Sequence, residues 1–143
     1  MIICKVFTFD ASHQLPKHKG KCKNLHGHTY KLEIEIEGPV VRNDKSTIDG
    51  MVADFGDIAD VVEKTILVNV DHCHLNKLLD NPTAENLAIR IFAVMTKYFE
   101  EVPNPKLKKV RLWETPTSYV ECNYEDLQHF LKYQRRSKQQ GTG

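Results

Sequence analysis

The sequence predicts an α+β domain in which an antiparallel four-stranded sheet carries two helices packed on one face. Three observations predict it. Tyr30-Lys31-Leu32-Glu33-Ile34-Glu35-Ile36-Glu37 alternates apolar and charged residues at period two, the pattern of a strand with one wet face. The segment from Ala84 to about Glu100 carries Leu87, Ala88, Ile91, Phe92, Met95, Tyr98 and Phe99 at helical spacing, the pattern of a helix with one apolar side. Finally, the elements follow the order strand, strand, helix, helix, strand, strand.

Taken from the start, Ile3 to Phe9 is the first strand, with Ile3, Phe7 and Phe9 on one face and Lys5 interrupting that face. The second strand ends at Gly38-Pro39, and Met51-Val52-Ala53 is read as a short strand segment. Asp57 to about Val68 is the first helix, carried by Ile58, Val61, Val62, Ile66 and Leu67. Pro82-Thr83 opens the second helix, with Thr83 as its N-cap. Leu107 to Thr115 turns Val110 and Leu112 inward, Pro116-Thr117 makes a turn, and Ser118 to Asn123 returns as the other half of a hairpin. Glu125 to about Lys132 is a short third helix. Residues 1–133 form a single domain, and the polar, basic residues 134–143 read as a frayed tail.

Composition narrows the class of function. A chain of 143 residues, 41% hydrophobic, can bury a core of ordinary size without disulfides. Twenty basic residues against 19 acidic leave a net charge of +1, which argues against bulk binding to nucleic acid or to a membrane surface. No apolar run approaches the roughly 18 residues that span a bilayer. The opening residues lack the basic and apolar regions of a signal peptide. Cys4, Cys22, Cys73 and Cys122 form no C-x-x-C pair and suit reduced thiols, so a cytoplasmic location is expected.

The chain has seven histidines, and they cluster. In His26-Gly27-His28 an i, i+2 pair at the start of a strand projects both imidazoles to one face. That face is the apolar one, in register with Tyr30, Leu32, Ile34 and Ile36. His13 follows the first strand in phase with Phe7 and Phe9. If the two strands pair, three imidazoles converge at one end of the inner face. Three neutral imidazoles suit Zn²⁺ and leave a tetrahedral position free. Cys22 is a candidate fourth ligand, so a closed structural site stands beside the open one.

Two further features carry chemistry. In Asp71-His72-Cys73-His74 an acid stands next to a histidine, where it can orient the ring and raise its basicity. Glu114 shares the inward phase of Val110 and Leu112, and a carboxylate on an apolar face needs a partner. That partner is either solvent at the strand end or a planar, guanidine-like ligand donating two parallel N–H bonds.

Together these residues resemble a known family. Phe9-Asp10-Ala11-Ser12-His13, Cys22-Lys23-Asn24-Leu25-His26-Gly27-His28, Asp54-Phe55, Asp71-His72, Pro82-Thr83-Ala84-Glu85-Asn86 and Trp113-Glu114-Thr115 are similar to the 6-pyruvoyltetrahydropterin synthase family, in family order from about residue 3 to 123. The three residues between Cys22 and His26 resemble its bacterial 6-carboxytetrahydropterin synthase branch. Ser12 departs from the alanine usual in the family and is small enough to fit.

The resemblance implies the tunnelling fold, a homohexamer built as a dimer of trimers, and active sites between subunits. It implies a zinc-dependent lyase acting on 7,8-dihydroneopterin triphosphate in queuosine biosynthesis. It also implies site roles. His13, His26 and His28 hold the metal, and Cys22, Asp71 and His72 are catalytic. Glu114, Thr83, Glu85 and Phe55 bind the pterin, and Lys17, Lys19, Lys21 and Lys23 are candidates for the triphosphate. The rival readings are a sister pterin side-chain lyase, such as 6-pyruvoyltetrahydropterin synthase itself, and a non-catalytic zinc module closed by Cys22.

Overall fold

A computed structural model describes residues 1–140. The chain runs β1 (Ile2–His13), β2 (His26–Glu37), α1 (Phe55–Val62), α2 (Val68–Val70), β3 (Cys73–His74), α3 (Ala84–Glu100), β4 (Lys106–Thr115), β5 (Ser118–Cys122) and α4 (Tyr124–Gln140). The sheet has five strands in the order β3-β1-β2-β4-β5. β1 and β2 pair antiparallel from Ile2 opposite Glu37 to His13 opposite His26. β2 pairs with β4, and β4 with β5, also antiparallel.

The expected α+β class holds, with one strand more than expected. β3 pairs parallel to β1, Cys73 beside Ala11 and His74 beside Ser12. Two residues are too few to show a period, so the pattern of the chain did not announce it. Met51-Val52-Ala53 is not a strand. The Met51 carbonyl accepts from Val41 N–H, and its own N–H donates to Ile48, so its backbone is spent inside a loop.

The first and last helical segments outrun their expected bounds, while α3 spans Ala84–Glu100 as expected. Asp54 accepts from Gly56 N–H and starts α1 at Phe55. A π-helical turn, Glu63–Leu67, joins α1 to α2, so the backbone stays helical to Val70. Asn123 caps α4 by accepting from the Glu125 and Asp126 N–H groups, while the Asp126 carboxylate accepts from Asn123 N–H. From that start α4 continues through helix-favouring Gln, Arg and Lys to Gln140, across most of the expected tail. Positions 141–143 lie outside the described residues.

The core lies on the inner sheet face. Tyr30, Leu32, Ile34 and Ile36 from β2 and Val110 and Leu112 from β4 are each 0% exposed. Val62, Ile66, Leu87, Ile91, Phe92 and Met95 cover them from the helices. Thr83 caps α3 as expected, accepting from Asn86 N–H at 3.2 Å. The β4–β5 hairpin turns at Pro116-Thr117, where Thr115 pairs with Ser118.

The outer face is less wet than its sequence suggests. Glu33 is only 8% exposed. Cross-strand pairing sets Glu33 opposite Arg111, and Arg111 opposite Glu121. Arg111 bonds both carboxylates, Lys31 reaches Glu33 at 2.8 Å, and Trp113 Nε1–H donates to it at 3.0 Å. Burial pushes the Glu33 carboxyl up. The bonds from Lys31 and Trp113, with the charges of Lys31 and Arg111, outweigh that and hold it below its ordinary 4.5.

A group with a lowered folded value adds stability that is complete above its unfolded value and is lost as pH falls through the folded one. Glu33→Gln is therefore expected to cost about 1–3 kcal/mol near neutral pH, the usual range for losing bonds to a buried charge. The cost should shrink below pH 4.5. Urea melts of both proteins at neutral and acid pH check this, and an equal cost at both would contradict it.

Candidate metal centre

β1 and β2 bring the three histidines together by register. His13 lies opposite His26, and Ala11 lies opposite His28. All three rings fall on the inner face, as their parity requires. His13, read from sequence as following its strand, is its last residue, and only 1% of it is exposed.

The hydrogen bonds settle which ring nitrogens are free. His13 Nδ1 lies 2.8 Å from the Pro82 carbonyl, and His26 Nδ1 lies 2.8 Å from the Asn24 carbonyl. A carbonyl can only accept, so each Nδ1 carries a proton and donates it. In a neutral ring the Nε2 atom is then a bare lone pair. The two Nε2 atoms lie 3.1 Å apart. Lone pairs this close repel unless a cation lies against both. His28 Nε2 is buried and has no hydrogen-bond partner among the described residues.

The three ligand atoms all lie within 4.8 Å of one another. Nitrogens bound tetrahedrally at about 2.0–2.1 Å stand roughly 3.3 Å apart. A metal ion therefore fits, and each Nδ1–carbonyl bond orients its ring as partners of metal-bound histidines do. Burial, together with the neighbouring His13 and His26, lowers the His28 pKa against the opposing pull of Glu114, which favours the neutral, ligating ring.

The expected neighbours fall into two groups. Glu114 Oε1 lies 3.7 Å from His13 Nε2 and 4.0 Å from His28 Nε2, so its inward phase does bring it to the cluster. Glu114, Thr83 and Glu85 line a common cavity of 260 Å³ with Leu15 and Tyr119. Cys22 is half-buried in the short 3-10 turn Lys21–Lys23 and does not belong to the metal-holding group. Lys17, Lys19, Lys21 and Lys23 are exposed around it.

Asp71 and His72 lie apart from that cavity. Asp71 Oδ1 accepts from Asp10 N–H at 3.0 Å and lies 3.0 Å from His72 Nδ1. The Asp10 bond and the adjacent His72 hold the Asp71 carboxyl below its ordinary 3.8 despite some desolvation. His72 takes a left-handed backbone, φ 55°, held by its N–H bond to the Asp10 carbonyl at 2.6 Å. Its side chain is 78% exposed. His72 lines a second cavity, of 660 Å³, with Asp10, Ser12, Thr29, His74 and Lys77, and with His28 of the histidine cluster. That cavity shares no lining residue with the one at Glu114. Phe55 lines neither cavity. It opens α1 and is 46% exposed.

Sequence reasoning missed the two carbonyls that fix the rings. Pro82 was visible only as a helix starter, and nothing local marks Asn24. It also missed Asp10, whose backbone fixes the Asp71-His72 pair.

The sequence model of the 6-pyruvoyl tetrahydropterin synthase family matches residues 2–125. The chain belongs to this family. Among family members, it is 37% identical to the 6-carboxy-5,6,7,8-tetrahydropterin synthase of Haemophilus influenzae, over 87% of this chain and 98% of the relative. It is 38% identical to the enzyme of that name from Synechocystis, over 82% and 88%. The dihydroneopterin monophosphate aldolase of Pyrococcus furiosus is 37% identical over 82% and 92%. Among solved structures, the 6-pyruvoyl tetrahydropterin synthase of Caenorhabditis elegans superposes with a TM-score of 0.73 at 28% identity, covering 86% of this chain and 94% of that one. The Plasmodium falciparum synthase shares the fold, with a TM-score of 0.64 at 15% identity over 85% and 96%.

Removing one ligand should empty the centre. His26→Ala is expected to drop bound metal from about one ion per chain to a small fraction, since two imidazoles bind far more weakly than three. Elemental analysis of the purified variant reads this directly, and a full equivalent of retained metal would refute the assignment.

Proposed function

We propose that this protein is a zinc-dependent lyase converting 7,8-dihydroneopterin triphosphate and water to 6-carboxy-5,6,7,8-tetrahydropterin, with release of triphosphate and acetaldehyde, on the route to 7-deazaguanines such as queuosine. The observation that carries the reading is the three-imidazole cluster with Glu114 beside it, in a chain 35–38% identical to proteins named for that synthase. Three neutral imidazoles are a donor set that suits Zn²⁺. When bound, zinc supplies Lewis acidity to the hydroxyls of the substrate side chain.

The chain's own residues do the rest. The Glu114 carboxylate accepts two parallel N–H bonds from the guanidine-like edge of the pterin, and so sets the side chain over the metal. Thr83 and Glu85 line the same cavity and extend that grip. Cys22, four residues before the first histidine of the pair, takes the proton from the side-chain carbon as a thiolate. His72, oriented by Asp71, is the second acid–base group. Its exposed ring and separate cavity support its delivery by a neighbouring copy, in a cytoplasmic homohexamer built as a dimer of trimers. The exposed lysines from Lys17 to Lys23 meet the triphosphate.

The Pyrococcus relative supports a second reading, cleavage of a dihydroneopterin phosphate to another pterin. Mass spectrometry of the products from dihydroneopterin triphosphate separates the two. Acetaldehyde with 6-carboxytetrahydropterin supports the first, whereas a pyruvoyl or hydroxymethyl pterin would replace it.

Two variants separate the roles. Cys22→Ala is expected to keep its zinc and to lose at least about 100-fold in kcat, the lower end for removing a general base. Loss of zinc in that variant would make Cys22 a ligand instead. Glu114→Gln is expected to raise KM about 10- to 100-fold, as losing bonds to a charged acceptor does, at full zinc content. An unchanged KM would remove the clamp.

A further inference from the structure

The geometry points to Asn76 as the positioning residue for Cys22, acting through the backbone of Gln14. The inference rests on the reading of Cys22 as the proton acceptor.

The ladder between β1 and β3 ends where Ser12 pairs with His74. The Ser12 hydroxyl lies 3.3 Å from His74 Nδ1 and reinforces that last rung. Beyond it the chain turns away. Leu75–Lys77 forms a 3-10 turn, and the Leu75 carbonyl accepts from the N–H groups of Leu78 and Leu79. The backbone has left the sheet, yet β1's neighbour Gln14 is still satisfied along this edge. Gln14 N–H donates to Asn76 Oδ1 at 2.9 Å, and Asn76 Nδ2–H donates to the Gln14 carbonyl at 2.9 Å. A carboxamide offers the same donor and acceptor as a peptide group. Asn76 therefore adds one more rung with its side chain, and the fully buried Leu75 beside it anchors the turn.

Gln14 stands at a joint. Before it is His13, a ligand of the metal centre. After it, Leu15 N–H donates to the Cys22 carbonyl at 2.8 Å and closes the base of the loop that carries the thiol. One path from the metal to Cys22 therefore runs through Gln14 and Leu15, and the Asn76 side chain holds both polar groups of Gln14. Without Asn76 the joint can rotate, and the Leu15–Cys22 closure moves with it. The metal ligands, which belong to β1, β2 and their own carbonyl partners, stay in place.

The test uses the zinc-loaded protein as purified. Asn76→Ala is expected to lower kcat about 10- to 100-fold, the scale of a misplaced catalytic group, with KM and zinc content unchanged. Alkylation of Cys22 by iodoacetamide, read peptide by peptide, should change severalfold while that of exposed Cys4 does not. Asn76→Asp keeps an acceptor for Gln14 N–H and should fall between the two. A Cys22 alkylation rate unchanged in Asn76→Ala would overturn the inference, as would a common rise at all four cysteines, which means general loosening. Should Asn76→Ala fail to fold, amide exchange on the unaltered protein decides. Gln14 N–H protected like its β1 neighbours supports the rung, and exchange as fast as that of residues 17–20 overturns it. If the unaltered protein leaves dihydroneopterin triphosphate intact, the lyase reading falls, while alkylation and exchange still judge Asn76.

Discussion

His13 sits opposite His26 because β1 and β2 pair without a slip from the Ile2–Glu37 rung onward. The register is enforced by the core, far from the metal. Tyr30, Leu32, Ile34 and Ile36 face inward and are 0% exposed. A slip of one residue would turn the whole row outward and bury Lys31, Glu33, Glu35 and Glu37 in its place. Burying a large apolar side chain is worth about 1.5–3 kcal/mol, so four amount to roughly 6–12 kcal/mol. That rivals the whole stability of an ordinary domain, about 5–15 kcal/mol. The histidines contribute nothing to this choice and inherit it. Because His26 and His28 share the parity of the row, whatever buries Leu32 also aims them at His13.

The same register is locked from the outer face. Glu33, Arg111 and Glu121 stand in one line across β2, β4 and β5, so a slip would also break their ion pairs. The histidine cluster then adds its own constraint, since His13 donates to the carbonyl of Pro82 just before α3. That bond ties the end of β1 to the start of α3, where Thr83 and Glu85 face the cavity of Glu114. One imidazole thus joins the sheet to the start of the helix that borders the Glu114 cavity. The Nε2 lone pairs of His13 and His26, 3.1 Å apart, repel each other at this joint. A bound cation would offset that repulsion.

Patterns with a period were legible in the chain, and contacts without one were not. β2, α3 and the β4–β5 hairpin announced themselves through alternation or helical spacing. The parity of His26, His28 and Glu114 placed them correctly on the inner face. β3 was invisible because two residues have no period. Glu33 read as solvated because alternation reports which face a residue occupies, not what stands opposite on the next strand. Asn76 was hidden for a related reason. Its side chain does the work of a backbone rung, and no spacing rule marks that substitution. Phe55 belonged to a motif by resemblance, yet as the first residue of α1 it lines neither cavity.

β1 also explains why one chain separates the groups that the proposed chemistry needs together. Ala11 and His13 point inward to the metal, while Asp10 and Ser12 point to the opposite face, and Asp71, His72 and His74 are fastened along that edge. The strand lines the His72 cavity through Asp10, Ala11 and Ser12, and His28 of the histidine cluster borders that cavity too. An acid–base group held this firmly on the far side, at φ 55° and with its ring exposed, is not arranged to swing around the strand. It is arranged to project from its own chain. In the proposed chemistry, such a ring meets a substrate held at Glu114 when a second copy presents it. The division of labour across β1 therefore supports the proposal of an active site shared between subunits, under which the proposed catalysis would depend on assembly.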